Sequence, residues 1–367
     1  MGWEPLLDPD RPACPYLPGF VIHATEHEPP PAFGRDYPPK TRRDPPDGLI
    51  DRMTQTQLVL DYPPQDTRWT RSAPPRTATL TIMKRIPNGR DRHAKLVVCR
   101  VLVKGHHRPY TAVAKIYDAL HYSPEDSLER YVTMHADWDY SWEALAYASL
   151  QTPKHPQKPG FAPEYYGSWT FDSTLTWQGK AHKRSIRLIL IEHIRGASIS
   201  NLYTRKHPDS QPDAFHFPEA YRLDILAEIY EGVVKQEHAG ISQRDLAPRN
   251  VMLAPSPQGG KISQALPRVV LIDYNQATVW KHTKLALYWE RKDQPLPLNP
   301  GQYFWDYPLD EFRGWYPAEW DRGEQGLKSY QDWLLAKFVW NQTDFAPIKK
   351  DHPSMVRLDR VNGDNKR

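Results

Sequence analysis

Alternating hydrophobic and polar positions predict three neighbouring β-strands in the first third of the chain. The three runs are rich in β-branched residues and are separated by short turn sequences. They cover residues 79–83, 94–103 and 110–117. The first turn contains Asn88-Gly89, which is a strong hairpin signal. Three sequential strands with such short turns indicate an antiparallel meander.

Apolar residues at helical spacing predict a helix directly after this sheet. Its stripe runs from Trp142 to Leu150. Asp139 or Ser141 can cap its start, and Pro153 stops it. The predicted helix therefore follows the third strand in the sequence.

The remaining apolar pattern mixes short buried strands with longer helices. Continuous apolar runs at 187–191 and 269–272 predict buried strands. An amphipathic helix is predicted over 218–238, ending before Gly240, which can adopt a left-handed conformation. A further helix is predicted near 329–340. A strand-rich first half and a helix-rich second half predict the α+β class.

The distribution of proline along the chain indicates how it is divided into domains. The chain has 37 prolines, concentrated in the first 75 residues. Because proline fixes φ and removes a hydrogen-bond donor, this stretch is predicted to be an extended arm. Aromatic residues could anchor the arm: Trp3, Tyr16, Phe20 and Phe33. We therefore divide the chain into a Pro-rich N-terminal arm (1–77), a folded domain (78–345) and a polar C-terminal tail (346–367).

Charge and composition exclude several classes of function. Net charge is only +4 and acids and bases are interspersed, so no nucleic-acid partner is expected. No apolar run is long enough to span a bilayer, and the first residues contain no apolar h-region, so neither a membrane partner nor secretion is expected. Two cysteines without ligand spacing favour a reducing compartment, so a cytoplasmic or nucleocytoplasmic location is expected. The 15 histidines show no ligand spacing, so no structural zinc is expected.

Three polar residues in the second half carry the candidate chemistry. Asp245 and Asn250 follow the long helix, and Asp273 ends a buried strand, where an acid fits the mouth of a cleft better than a core. Phosphoryl transfer needs hard oxygen ligands for Mg²⁺, a carboxylate that orients a hydroxyl, and a cation on the phosphates. Asp245 and Asn250 could instead be a turn and capping pair.

Five segments, in this order along the chain, resemble the motifs of the protein kinase superfamily. Val113-Ala-Lys115 is similar to the strand that carries the ATP-binding Lys, and Glu143 lies on the next helix. Ile191-Glu-His-Ile-Arg-Gly196 resembles the adenine hinge. Arg244-Asp-Leu-Ala-Pro-Arg-Asn250 resembles the catalytic loop R-D-L-x-x-x-N, and Asp273-Tyr-Asn275 resembles D-F-G.

The resemblance implies a role for each matched catalytic residue. Lys115 would contact the α- and β-phosphates of ATP and pair with Glu143. Asp245 would accept or orient the proton of the substrate hydroxyl. Arg249 stands where tyrosine kinases carry an Arg, and it is the second candidate catalytic residue.

The resemblance also implies how the nucleotide and its metal are bound. Asn250 and Asp273 would ligate Mg²⁺, and backbone groups of Glu192 and Ile194 would bind adenine. It further implies a bilobal protein kinase-like fold. A small antiparallel-sheet N-lobe would cover about 78–192, and a mostly helical C-lobe would cover about 196–345.

Several departures from the kinase pattern leave the function open. Gln243 replaces the usual His, Asn275 replaces Gly, and the glycine-rich phosphate loop is missing. The loop 87–93 stands in its place and offers Arg90 and Arg92. The chain lies between protein kinases and phosphotransferases of the aminoglycoside and choline type, and it looks most like a group of fungal kinase-like proteins.

The sequence thus predicts an ATP-dependent phosphotransferase that acts on a protein or small-molecule hydroxyl. The alternatives are a pseudokinase that binds nucleotide or acts as a scaffold, and an unrelated enzyme fold whose motifs coincide. The sequence decides neither the substrate nor the oligomeric state.

Overall fold

Six strands in the first half of the chain form a closed antiparallel barrel. A computed structural model describes residues 6–39, 44–46, 48–87, 93–127, 131–151, 160–255, 265–286, 295–308 and 310–355. The barrel strands are β1 (Val21–Glu26), β2 (Thr77–Ile86), β3 (Lys95–Val103), β4 (Tyr110–Tyr117), β5 (Tyr165–Trp177) and β6 (Lys180–Glu192). Their order around the barrel is β1-β2-β3-β4-β6-β5.

The predicted meander is confirmed in strands β2, β3 and β4. Each pairs antiparallel with the next, as the period-2 pattern and short turns indicated. The turn predicted at Asn88-Gly89 lies outside the described residues, as do Arg90 and Arg92 of the candidate phosphate loop.

Closure of the barrel depends on β1, which comes from the Pro-rich arm. Val21–Thr25 pair with β2, and Thr25 and Glu26 pair with β5, so β1 joins the two edges of the sheet. Tyr16 and Phe33 are buried and anchor the arm on either side of this strand. The arm predicted to be extended therefore supplies the strand that removes both open edges.

The second half combines helices with short strands and irregular segments. The α-helices α1 (Gln55–Asp61) and α2 (Val132–Leu150) lie in the first half, and α3 (Glu219–His238), α4 (Pro300–Tyr303) and α5 (Gly323–Phe338) lie in the second. The short strands are β7 (Ala197–Ser198), β8 (Ile241–Ser242), β9 (Val251–Ala254), β10 (Arg268–Leu271) and β11 (Thr278–Val279). Within the described ranges, no helix combines the length and apolar character needed to cross a bilayer.

The prediction of a bilobal protein kinase-like fold is wrong. In place of the predicted small antiparallel-sheet lobe, the first half forms a closed barrel, because β1 pairs with both β2 and β5. In place of a mostly helical lobe, residues after 196 carry two long helices, α3 and α5, separated by short strands, single turns and loops. Sequence periodicity gave no signal that a proline-flanked strand would close the sheet.

The helix predictions are confirmed in position but not in every boundary. Helix α3 covers the predicted segment, and Gly240 beyond it has φ +86°. Helix α2 begins at Val132, so Asp139 and Ser141 lie inside it and cap nothing. Both side chains are buried there, which shows that packing rather than capping determined their positions.

Strand parity directs alternate residues of β4 into two separate cores. Ala112, Ala114 and Ile116 pack inside the barrel. Tyr117 belongs to the core that the barrel shares with α2 and the second half of the chain, and Lys115 has the same parity. Lys115 therefore points out of the barrel toward α2.

Candidate functional site

Lys115 forms the centre of a buried charge cluster between β4, α2 and the segment after β10. Its Nζ lies 2.6 Å from Glu143 Oε2 and 2.6 Å from Asp273 Oδ1. The side chains of Lys115 and Glu143 are 8% and 1% exposed, whereas that of Asp273 is 36% exposed. The structure thus brings together three residues from distant parts of the chain, and only Asp273 faces solvent to any extent.

Glu143 has a partner for each of its oxygens. Tyr117, on the same outward face of β4 as Lys115, donates its hydroxyl to Glu143 Oε2 at 2.6 Å. The Tyr274 backbone N–H donates to Oε1 at 3.2 Å. A buried carboxylate is tolerated because its partners replace the lost hydration. Glu143 thereby joins β4, α2 and the segment that carries Asp273.

The electrostatics of the cluster keep Lys115 and Asp273 charged. Burial lowers the pKa of Lys115, but Asp273 and Glu143 outweigh it and hold the pKa above its ordinary value. Burial raises the pKa of Asp273, but Lys115 reverses this and the pKa lies below its ordinary value. Burial raises the pKa of Glu143 against the opposing effect of Lys115. The cluster therefore offers one ammonium and a partly exposed carboxylate.

The loop from Asp245 to Asn250 forms a second cluster. Arg249 Nη2 lies 2.5 Å from Asp245 Oδ1, and Asn250 Nδ2 donates to Asp245 Oδ2 at 2.8 Å. Asn250 Nδ2 also donates to the Asp245 carbonyl at 2.8 Å. Arg249 contacts Glu311 as well, at 3.3 Å. Because its nitrogen is used in this way, Asn250 presents Oδ1 as its remaining donor atom for a metal.

Asp245 has a perturbed pKa. Burial raises the pKa, and the negative charges of Asp273 and Glu311 add to this effect, while Arg249 and Asn250 oppose it. The pKa lies above its ordinary value as a net result. A carboxylate with a raised pKa is a better proton acceptor than an ordinary one. The influence of Asp273 on Asp245 also indicates that the two carboxylates share one electrostatic environment.

Gln243 links the two clusters, a role that sequence reasoning missed. Its Nε2 donates to the Asp273 carbonyl at 2.8 Å and to the Ile272 carbonyl at 3.2 Å. Its Oε1 accepts from the Asp245 N–H at 2.8 Å. In the sequence, Gln243 stands out only as a departure from a His, yet its amide supplies both the donor and the acceptor that the bridge requires.

The hairpin of β9 and β10 brings Asn250 and Asp273 to the same end. Val251 pairs with Leu271, and beyond this pair the Ile272 N–H donates to the Asn250 carbonyl at 2.8 Å. The next residue, Asp273, has φ +61°. This left-handed conformation is costly for a non-glycine residue and is typical of functional sites. Asn275 is not left-handed, so its replacement of Gly needs no special conformation.

The residue before Asp245 connects this loop to the arm. Arg244 has φ +66° and lies 3.1 Å from Asp36 Oδ2 through its Nη2. Its guanidinium also stacks over Trp280, 5.2 Å from the ring centroid. The arm therefore supports the loop that carries Asp245 as well as closing the barrel.

The predicted adenine hinge is occupied by internal contacts at Glu192. Its carboxylate pairs with Arg268 at 2.6 Å, and its N–H donates to the Glu164 carbonyl at 2.8 Å. Glu192 lies opposite Ala112, on the strand next to Lys115. Ile194, two residues further on, is half-buried, and its N–H makes no backbone hydrogen bond with the described part of the chain.

A cavity of about 1160 Å³ lies away from the two clusters. It is bounded by the arm, α2 and β5, with Pro30, Leu145 and Tyr166 among its lining residues. Its lining includes none of the residues predicted to bind ATP or Mg²⁺. Its volume suits a ligand of drug size or larger, but its position gives no support to the predicted nucleotide site.

No protein-family model matches the chain, and no curated protein matches it. Interpretation of the site therefore rests on its geometry.

Proposed function

We propose that the chain is an ATP-dependent phosphotransferase that transfers a phosphoryl group to a hydroxyl of a protein or small molecule. The observation that carries the proposal is the contact of Lys115 with Glu143 and Asp273, joined through Gln243 to the loop of Asp245. Phosphoryl transfer depends on positioned charges rather than on covalent catalysis. A cation, an oxygen-rich metal site and a carboxylate with a raised pKa are the charges it requires.

Each residue has a role in this proposal. Lys115, held by Glu143, neutralises phosphate oxygens of ATP. Asp245 orients the attacking hydroxyl and accepts its proton. Asn250 Oδ1 and the Asp273 carboxylate are hard oxygen donors of the kind Mg²⁺ prefers, so they fit this metal. Bound Mg²⁺ would supply further positive charge against the phosphates.

The remaining predicted residues have secondary roles. Arg249 neutralises the Asp245 carboxylate and determines its orientation. The backbone of Ile194 is the better candidate for adenine, because the Glu192 N–H is already used. Cys14 and Cys99 are both free thiols, which suits the reducing cytosol or nucleus where ATP is abundant.

A nucleotide-binding protein without catalysis is the second candidate. It is favoured by the contacts that occupy both oxygens of Asp245 and by the position of the large cavity away from the clusters. In this alternative the Lys115 cluster binds nucleotide, and Asp245 stabilises the loop only.

Thermal unfolding with ATP, with and without Mg²⁺, tests the binding step, and ATP turnover tests catalysis. We expect a Mg²⁺-dependent rise in Tm that Asp273→Asn abolishes. Asp245→Asn should keep this rise and lose at least about 100-fold in turnover, as expected for loss of a general base. Asp172→Asn, on the barrel surface, is the matched control.

The two candidates differ in a single result. A Mg²⁺-dependent Tm shift in a wild-type chain that shows no more ATP turnover than Asp245→Asn would favour the non-catalytic protein. If no nucleotide shifts the Tm of the wild-type chain, both candidates are wrong.

A further inference from the structure

Two histidines and an aspartate meet beside the candidate site, in a cluster that plays no part in the proposed function. His135 and Asp139 lie one turn apart on α2, and His93 lies two residues before the start of β3. One ligand atom from each of the three side chains lies within 4.8 Å of the other two. His93 Nδ1 is 3.8 Å from Asp139 Oδ2, and His135 Nε2 is 3.8 Å from Asp139 Oδ1. The two imidazoles thus face opposite oxygens of one carboxylate.

Internal hydrogen bonds satisfy this cluster only in part. Asp139 is 2% exposed, and a separation of 3.8 Å from each histidine is too long for a hydrogen bond. Tyr122 donates its hydroxyl to Asp139 Oδ2 at 3.1 Å. His93 Nδ1, the nitrogen that faces Asp139, is buried and has no hydrogen-bond partner among the described residues. Leaving such groups unsatisfied is costly, so the arrangement calls for another partner.

We propose that His93, His135 and Asp139 form a binding site for a divalent transition-metal ion, with Zn²⁺ as the representative ion. Two imidazole nitrogens and one carboxylate oxygen are donors that Zn²⁺ accepts. Tetrahedral Zn²⁺ with bonds of about 2.0–2.1 Å places its ligands about 3.4 Å apart. The observed 3.8 Å separations need only a small closure around the ion.

The residues around the cluster resemble the surroundings of a preformed metal site. The Tyr122 hydroxyl donates a hydrogen bond to the Asp139 carboxylate, and hydrogen bonds of this kind orient the ligands in known metal sites. The Tyr122 ring also lies edge-on to both imidazoles, with centroids 5.9 Å from His93 and 6.0 Å from His135.

The side chain of His93 is 36% exposed, compared with 10% for His135. This exposure gives an ion a way in and leaves room for a water molecule in the fourth position. The site fastens the start of β3 to α2, which also carries Glu143 one turn beyond Asp139. An ion here would fix the helix that positions Glu143. The site itself does not depend on the proposed function.

Titration of the full-length chain with Co²⁺, followed by visible absorption, and with Zn²⁺, followed by calorimetry, tests the proposal. The protein is first treated with a chelator, and millimolar Mg²⁺ is present throughout to occupy sites made of oxygen alone. We expect one ion per chain, a rise in Tm with added Zn²⁺, and a Co²⁺ spectrum typical of nitrogen ligands.

Substitutions then assign the ligands. His93→Gln and Asp139→Asn should each weaken Zn²⁺ binding by at least about tenfold, because each removes a direct ligand. His107→Gln, at an exposed histidine on the β3–β4 turn, should leave binding unchanged. His93 is partly exposed and His93→Gln is expected to fold, so this variant decides the matter even if Asp139→Asn does not fold. Failure of the wild type to bind one ion, or equal binding by His93→Gln and His107→Gln, would overturn the proposal.

Discussion

Tyr117 and Glu143 form a hydrogen bond of 2.6 Å that connects the outer face of the barrel to α2. The acceptor, Oε2, is the same oxygen that contacts Lys115 Nζ at 2.6 Å. Tyr117 and Lys115 lie two residues apart on one face of β4, so a single strand holds Glu143 with both a neutral donor and a cation. The hydrogen bond from Tyr117 orients the Glu143 carboxylate, and that carboxylate in turn positions the Lys115 ammonium.

Tyr117→Phe should lower the free energy of unfolding by about 2 kcal/mol. The change removes a buried hydrogen bond to a charged group and leaves the Glu143 oxygen less satisfied, while the ring keeps its packing. Chemical denaturation at pH 7 measures the effect. Tyr110→Phe, at the half-buried start of the same strand, is the control and should change stability by less than about 0.5 kcal/mol. Equal stability of the two variants would contradict a structural role for this hydrogen bond.

Gln243→Ala should destabilise the chain by about 1–3 kcal/mol, because it removes the bridge between the Asp245 N–H and the Asp273 carbonyl. Under the proposed function it should also reduce ATP turnover more than it reduces nucleotide binding. Gln243→Glu keeps the acceptor, loses the donor and places a negative charge against the Asp273 carbonyl, so it should disturb the Asp273 side of the bridge more than the Asp245 side. A Gln243→Ala variant with unchanged stability and turnover would argue against the bridge.

Ala24→Asp should destabilise the protein by about 3 kcal/mol or more, whereas His23→Asp should be nearly neutral. Ala24 is 2% exposed and packs inside the barrel, while its neighbour His23 points outward on the same strand. A charge inside the barrel would lack a partner. Thermal unfolding of both variants measures the difference. Similar Tm values would mean that β1 does not close the barrel.

Acidification should destabilise the protein between about pH 6.5 and pH 4 through His27. Burial, reinforced by Arg187, lowers the pKa of His27 from 6.5 to about 4. Over this range the unfolded chain binds a proton on His27 that the folded chain does not. The contribution of His27 to the free energy of unfolding is therefore fully present above pH 6.5. It decreases by about 3 kcal/mol as the pH falls toward 4.

The variant His27→Gln isolates this contribution. His27 Nδ1 is hydrogen-bonded to the Tyr140 hydroxyl at 2.6 Å and connects the end of β1 to α2. Glutamine can keep a hydrogen bond there without titrating. The free energy of unfolding of the variant, measured by denaturation at intervals of pH, should fall less steeply than that of the wild type. Parallel curves for the two proteins would contradict the prediction.

Local patterns in the sequence predicted the elements that carry the candidate site. Alternation placed Lys115 on β4, helical spacing predicted α2 and α3, and a buried run ending at Asp273 predicted β10. These predictions succeeded because a strand or helix needs only a repeating apolar face, which neighbouring residues supply. The assigned roles of Lys115, Asp245 and Asp273 in phosphoryl transfer stay predictions.

The sequence contains hints of the histidine–aspartate cluster and of the Gln243 bridge, but neither could be interpreted without the fold. His135 and Asp139 show the i, i+4 spacing of residues on one helix face, but the third member, His93, comes from a different element. Gln243 could be recognised only as an unusual residue, because the carbonyl that it contacts lies 30 residues further along the chain.

The sequence by itself determined the strands β2, β3 and β4 and the helices α2 and α3, because their apolar periodicity depends on contacts within a few residues. Only the tertiary structure decided that β1 leaves the arm to pair with both β2 and β5 and turn the sheet into a barrel. It also decided that Lys115, Glu143 and Asp273 meet at 2.6 Å. Such contacts join residues far apart in the chain, and their free energy comes from burial and pairing that no local pattern records.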